Sequence, residues 1–157
     1  MAYVADVLTT EQRRLNMRRI RGKDTKLEML LRRGLHSRGL RYRLHPKNLS
    51  GKPDMVFPRY RAVIFVHGCF WHGHDCSLFK WPTTRADFWR KKIKGNRERD
   101  IRIVDQLIMA GWRVLVVWEC ALRGRYKRSL TDVLNEAECF VRLRKCQFSE
   151  VFAVRKT

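Results

Sequence analysis

Acidic residues are scarce in this chain: 15 Asp and Glu stand against 35 Lys and Arg, a formal net charge of +20 over 157 residues. Such an excess is self-repelling unless a polyanion offsets it, so the surface is expected to face nucleic acid. Long apolar runs are missing as well. The longest, residues 62–66 and 114–118, span five residues each, against about 20 for a membrane-crossing helix. Residues 1–14 lack the apolar stretch of a secretory signal, so a cytosolic protein without membrane association is expected. There is no internal repeat and no linker. With 45% hydrophobic residues the composition excludes a disordered chain, and a chain of this length buries roughly 70% of its unfolded surface in one domain without needing disulfides. Cysteine is present in an odd number, five, which favours metal ligation or free thiols over a disulfide framework.

The segment through residue 44 reads as two helices and a short extended piece. Thr10 is placed to cap a helix running to Ile20, and Thr25 with Glu28 forms a capping box that opens a second. In that second helix Leu27, Leu30, Leu31 and Leu35 recur at helical spacing. They form one apolar stripe with Arg32 and Arg33 off it, Glu28 bordering the core and Gly39 near the stop. Extended pieces follow at 41–44, 54–57 and 61–66, punctuated by Ser50-Gly51-Lys52-Pro53 and Pro58-Arg59-Tyr60, so the last two form a hairpin. Residues 68–82 have no period and read as a long functional loop. From residue 85 the pattern is helical, with Ile93, Ile101, Val104, Leu107 and Ile108 on one side, a possible bend at Gly95 and Gly111 as terminator. Residues 112–118 are a buried strand and 129–144 a last helix. The role of the tail, 145–157, is open. This order predicts a mixed sheet covered by helices.

Three groups of residues carry chemistry. Residues 11–33 hold nine Lys or Arg against three acids, and residues 85–102 hold eight against three, a footprint suited to duplex DNA. Cys69, His74 and Cys76 lie within eight residues and Cys120 follows the strand ending at Trp118. Two loops at one end of a sheet would bring these four donors around a tetrahedral zinc ion with no open position, a structural site; the alternative is buried thiols beside a hydrogen-bonded histidine. Asp54 at the head of one strand faces Val66-His67 at the end of the next, where a carboxylate can bind Mg²⁺ beside a backbone carbonyl, with His67 and His72 near the same strand end. Pro-Asp is otherwise a common turn pair. Phe70-Trp71 read either as rings that wedge between bases or as caps on the core beneath the loop, and Trp89 falls on a helical apolar stripe with Ala86 and Ile93.

The string from Phe65 to His72, with Gly51-Lys52-Pro53-Asp54 before it and Trp112-Arg113-Val114 through Gly124 after it, closely resembles the very short patch repair (Vsr) mismatch endonucleases, from Asn16 to about Arg125. The resemblance implies an α/β (α+β) restriction-endonuclease-like fold of the PD-(D/E)xK superfamily: a mixed central sheet flanked by helices, with a structural zinc site. It implies one nuclease domain over 1–157 whose residues 1–22 form a DNA-contacting arm. The implied activity is a Mg²⁺-dependent nick 5′ of the thymine in a T:G mismatch left by deamination of 5-methylcytosine. The implied setting is the bacterial cytosol or nucleoid, alongside a DNA cytosine-5 methyltransferase and a repair polymerase, with the enzyme a monomer. Carried over residue by residue, Asp54 and the Val66 carbonyl hold Mg²⁺, His72 activates water, and Glu28 and His67 hold metal-bound waters. Cys69, His74, Cys76 and Cys120 match the zinc ligands. Phe70, Trp71 and Trp89 form the wedge, Met17 approaches from the minor groove, and Lys92 and Asn96 touch the mismatched pair. Three departures stand out: Lys94-Gly95 is in reverse order, Val66 stands where a threonine is expected, and Gly73 and Asp75 interrupt a histidine run. The rival readings are a restriction-like or homing-like enzyme cutting both strands, separable by whether plasmid is nicked or linearised, and a non-catalytic zinc protein that binds DNA.

Overall fold

A computed structural model of the chain describes residues 8–19 and 25–154. Five strands form one mixed sheet in sequential order: β1 (Arg43–Leu44), β2 (Met55–Phe57), β3 (Ala62–His67), β4 (Arg113–Trp118) and β5 (Phe148–Val151). The first three are antiparallel neighbours, whereas β3–β4 and β4–β5 are parallel. Parallel pairing requires crossovers, which α3 (Ala86–Met109) and α5 (Leu130–Leu143) supply. Two further helices, α1 (Thr10–Arg19) and α2 (Lys26–Ser37), precede the sheet, and the short α4 (Glu119–Leu122) follows β4 directly. Among the described residues no helix is long and apolar enough to cross a membrane.

The uninterrupted apolar runs of β3 and β4 reflect burial on both faces. Alternation sends Ala62, Ile64, Leu115 and Val117 to one face, against Leu31 and Leu35 of α2 and Val133, Ala137 and Val141 of α5. Val63, Phe65, Val114 and Val116 go to the other, against Leu107 of α3. Gly34 lets α2 approach α5, since a Cβ there would sit 2.4 Å from Leu134 Cδ1.

Thr25 caps α2 as read: its Oγ1 accepts from the Glu28 N–H at 3.3 Å, and its hydroxyl donates to Glu28 Oε1. Several expectations need correction. Thr9, not Thr10, caps α1, accepting from the Gln12 N–H while the Gln12 side chain accepts from the Thr9 N–H; Ile20 lies outside the described residues. Arg32 is not off the apolar stripe but buried, at 5% exposure, because its charge is paired with the equally buried Glu28. Ile101 turns outward at 63% exposure, and Ile103 packs toward the core in its place. Gly95 causes no interruption, as α3 is continuous past it. The first extended piece shortens to two residues. The tail contains a strand, β5, whose exposed edge position dilutes its apolar pattern; residues 155–157 of that tail, and 1–7 and 20–22 of the proposed arm, lie outside the described residues.

Candidate active site and metal-ligating cluster

The C-terminal end of β3 organises the site, because consecutive strand residues project to opposite faces of the sheet. Asp54 lies just before β2, across from that end, and its Oδ2 accepts a 2.7 Å hydrogen bond from the Val66 N–H. The N–H and C=O of a strand residue point toward the same neighbouring strand, so the Val66 carbonyl faces the edge that Asp54 occupies. Burial pushes the Asp54 carboxyl up to about 6; the nearby Glu28 carboxylate adds to the rise, and the Val66 N–H, His45 and Arg32 oppose it. Such a carboxylate is short of positive charge and, with oxygen donors beside it, fits a hard divalent cation.

Two residues near Asp54 carried no signal in the sequence. Arg32 Nη2 donates to Glu28 Oε2 at 3.0 Å and also lies 2.9 Å from His45 Nε2. Arg32 was one arginine among many, and His45 sits in an irregular loop with no partner at readable spacing.

On the other face the imidazoles of His67 and His72 stack, 3.8 Å apart and 2° from parallel. Burial, aided by His72 and opposed by Asp100, pushes His67 down to about 3, so it is neutral at neutral pH. His72 Nδ1 lies 2.5 Å from Asp100 Oδ2. An ionised carboxylate only accepts, so Nδ1 carries the proton and Nε2 is left as the basic nitrogen. Asp100 was missed: 28 residues from His72, it reads as one of the acids spaced among the arginines of α3. His67, His72 and Asp100 border a hollow that also takes in Lys52 and Arg99, two cations suited to a phosphate.

The four donors expected from spacing do meet. One ligating atom each of Cys69, His74, Cys76 and Cys120 lies within 4.8 Å of the others. His74 Nδ1 is 3.7 Å from Cys69 Sγ and 3.5 Å from Cys120 Sγ. A tetrahedron with metal–sulfur bonds of about 2.3 Å and metal–nitrogen bonds of about 2.0 Å has nitrogen–sulfur edges of about 3.5 Å, so the spacing fits a metal ion. The Cys120 N–H donates to Cys69 Sγ and the Ala153 N–H to Cys120 Sγ, contacts that favour thiolate. Without a cation, burial and repulsion from Cys76 push both thiols up. His74 stacks on Trp118 at 4.1 Å. Gly73, at φ +60°, permits the turn, since a Cβ there would meet Ile93 at 2.6 Å. Asp75 is exposed.

Phe70, Trp71 and Trp89 also converge, with ring centroids 5.2 to 5.8 Å apart. All three are half-buried, between the wedge and core readings. Phe79 stacks on Phe70, and exposed Trp81 and Phe88 extend the aromatic surface; the sequence reading had not joined these three to it. Asn96 is buried at 8% and its amide donates to the Trp71 carbonyl at 2.8 Å, so it anchors the aromatic loop, while Lys92 is exposed. Met17 is exposed on α1.

Comparison with known proteins adds a second line of support. The family model described as DNA mismatch endonuclease Vsr matches residues 5–78. The DNA mismatch endonuclease Vsr of Escherichia coli is 50% identical over 139 residues, covering 87% of this chain and 89% of that protein. The type II nicking enzyme V.XorIIP of Xanthomonas oryzae is 48% identical, covering 84% and 98%. The type II nicking enzyme V.NmeAIP of Neisseria meningitidis is 44% identical, covering 78% and 87%.

Proposed function

The chain belongs to the DNA mismatch endonuclease Vsr family and is a DNA endonuclease, and from that premise we propose that it nicks one strand 5′ of the thymine in a T:G mismatch, using Mg²⁺. The observations that carry this reading are gathered at the end of β3: the buried carboxylate Asp54 accepts from the Val66 N–H, and the next residue, His67, stacks on His72, whose Nδ1 is held by Asp100. Asp54 and the Val66 carbonyl would hold Mg²⁺, with Glu28 and His67 positioning its waters. The ion would supply Lewis-acid stabilisation of the charge that develops on the phosphoryl oxygens.

The protein's own residues do the rest. His72 Nε2 takes the proton of the attacking water, and Asp100 fixes the tautomer and stabilises the imidazolium. Neutral His67, stacked on His72, adds no opposing charge as that imidazolium forms. Asp100→Asn should lower the single-turnover nicking rate about 10²- to 10³-fold with duplex affinity nearly unchanged. An unchanged rate would remove Asp100 from the mechanism.

Phe70, Trp71 and Trp89 supply the wedge, Met17 the minor-groove approach, Lys92 a contact to the mismatched pair, and Asn96 the hold on Trp71. A wobble pair is cheaper to unstack than a matched one, so a wedge that costs a few kcal/mol per opened step discriminates between them. Zinc at Cys69, His74, Cys76 and Cys120 would brace the loop that carries the wedge. The reading further takes the chain as one nuclease domain, working as a monomer in the cytosol after a cytosine-5 methyltransferase and before a repair polymerase. The test is incubation of end-labelled duplexes, matched and T:G, with Mg²⁺ and the protein. A single nick 5′ of the mismatched thymine is expected; linearised product or no Mg²⁺-dependent product sinks the reading. Phe70→Ala with Trp71→Ala should cut the preference for T:G over matched duplex at least tenfold while low-salt binding, carried by phosphate contacts, persists. Equal affinity loss on both duplexes would contradict the wedge.

A further inference from the structure

The register of the three parallel strands lines up side chains across one face of the sheet. His67 of β3 pairs with Trp118 of β4. Glu150 of β5 pairs with Val116, two residues before Trp118 and so on the same face. Trp118 Nε1 donates to Glu150 Oε1 at 3.1 Å. The indole stands at 73° to the His67 ring and 74° to the His72 ring, with centroids 5.2 and 6.1 Å away. His74 lies flat against the same indole, 10° from parallel. The stacked imidazoles of His67 and His72 are therefore bounded by a ring that is itself held from two other places: the Cys/His loop through His74 and the edge strand through Glu150.

Asp100 holds one nitrogen of His72 but leaves the ring free to swing about that single bond. The plane of the ring is set by its stack on His67, and His67 in turn abuts Trp118. The last torsion of an aromatic side chain is broad, so packing alone leaves an indole room to turn, and a hydrogen bond from its N–H removes that room. We propose that Trp118, pinned by Glu150, is a positioning residue for the His67–His72 stack, so that β5 sets the aim of the nitrogen that takes the water proton. The inference rests on the reading of His72 as the base and deepens it, since it brings into the reaction a strand with no residue assigned to metal or DNA. A base misplaced by a fraction of an ångström loses rate without losing substrate affinity.

The test uses the full-length, metal-loaded protein with T:G duplex and Mg²⁺. Glu150→Ala should lower the single-turnover nicking rate about tenfold, with duplex Kd and T:G preference unchanged and the melting temperature within about 3 °C of wild type. Glu150→Gln, whose amide oxygen still accepts from the indole N–H, should nick as wild type. Trp118→Phe keeps a ring but has no N–H; it should lose about as much as Glu150→Ala, and the two changes together no more than Trp118→Phe alone. If Trp118→Phe does not fold, the two variants at exposed Glu150 decide. In protein without DNA, the ring-proton magnetic resonances of His72 sense the neighbouring indole; Glu150→Ala should shift them and Glu150→Gln should leave them in place. Unchanged resonances in Glu150→Ala, or a Glu150→Gln as slow as Glu150→Ala, would overturn the proposal. His72→Ala keeps the two readings apart. If it nicks normally, His72 is not the base, and the resonances still decide whether Glu150 positions the stack. If it is inactive, an unchanged nicking rate in Glu150→Ala overturns the positioning role alone.

Discussion

Asp54→Asn is expected to abolish nicking and, in buffer without divalent ions, to raise the melting temperature. The carboxylate is withdrawn from water and receives one backbone donor, so folding lifts its pKa from 3.8 to about 6. Because the folded value lies above the unfolded one, the folded state holds the extra proton between about pH 4 and 6, and stability falls as pH rises through that window. Above it the full penalty is present, on the order of 2–3 kcal/mol. Asparagine keeps an oxygen for the Val66 N–H and removes the charge, so the variant should melt roughly 5–10 °C higher at pH 8 and no higher at pH 3.5. Mg²⁺ should narrow the gap by stabilising only the wild type, and Mg²⁺ affinity should fall about tenfold per pH unit below about 6. Thermal melts at the two pH values, with and without Mg²⁺, check this. A variant that nicks, or that melts lower than the wild type at pH 8, would mean Asp54 is an ordinary structural carboxylate.

Loss of the zinc proposed at Cys69, His74, Cys76 and Cys120 is expected to destabilise this fold strongly. Cys69 and Cys120 are almost fully buried, so without a cation they are desolvated thiols crowded against His74. Metal binding in small zinc domains is worth about 10–16 kcal/mol. Here β3 and β4 support themselves, so a loss of several kcal/mol is expected for Cys120→Ala or chelation. The melting temperature should drop by more than 10 °C, and nicking should be lost even in excess Mg²⁺ because the loop carrying Phe70, Trp71 and His72 is released. Cys139→Ala with Cys146→Ala, at two exposed positions, should change neither. Metal-free protein that melts and nicks like the loaded form would show that the cluster is not a brace.

The parts of the site legible in advance shared local spacing. Thr25 and Glu28 announced a helix start, the two apolar runs announced central strands, and Cys69, His74 and Cys76 fall on one loop whose only remote partner, Cys120, follows a recognisable strand. Asp54 and the end of β3 were legible because a hairpin relates them. Asp100, Arg32 and His45 were not. Asp100 meets His72, and Arg32 meets His45, from a different element, and Asp100 and Arg32 resemble the solvated charges that fill the rest of a strongly basic chain. The strand β5 was hidden for another reason: its outward face carries the apolar Phe148 and its inward face the polar Ser149, so the sequence shows no apolar alternation although Val151 is buried.

What the residues alone determined was therefore local and chemical: which segments are periodic, which donors could ligate a metal, and that so positive a surface faces a polyanion. The pairing of His72 with Asp100, of Arg32 with His45, and the anchoring of Trp71 by Asn96 were decided only when α2 and α3 packed on opposite faces of one sheet. Burial then withdrew water from a few charges out of many and left them to find one another, and burial is a property of the whole fold that no stretch of the chain carries by itself.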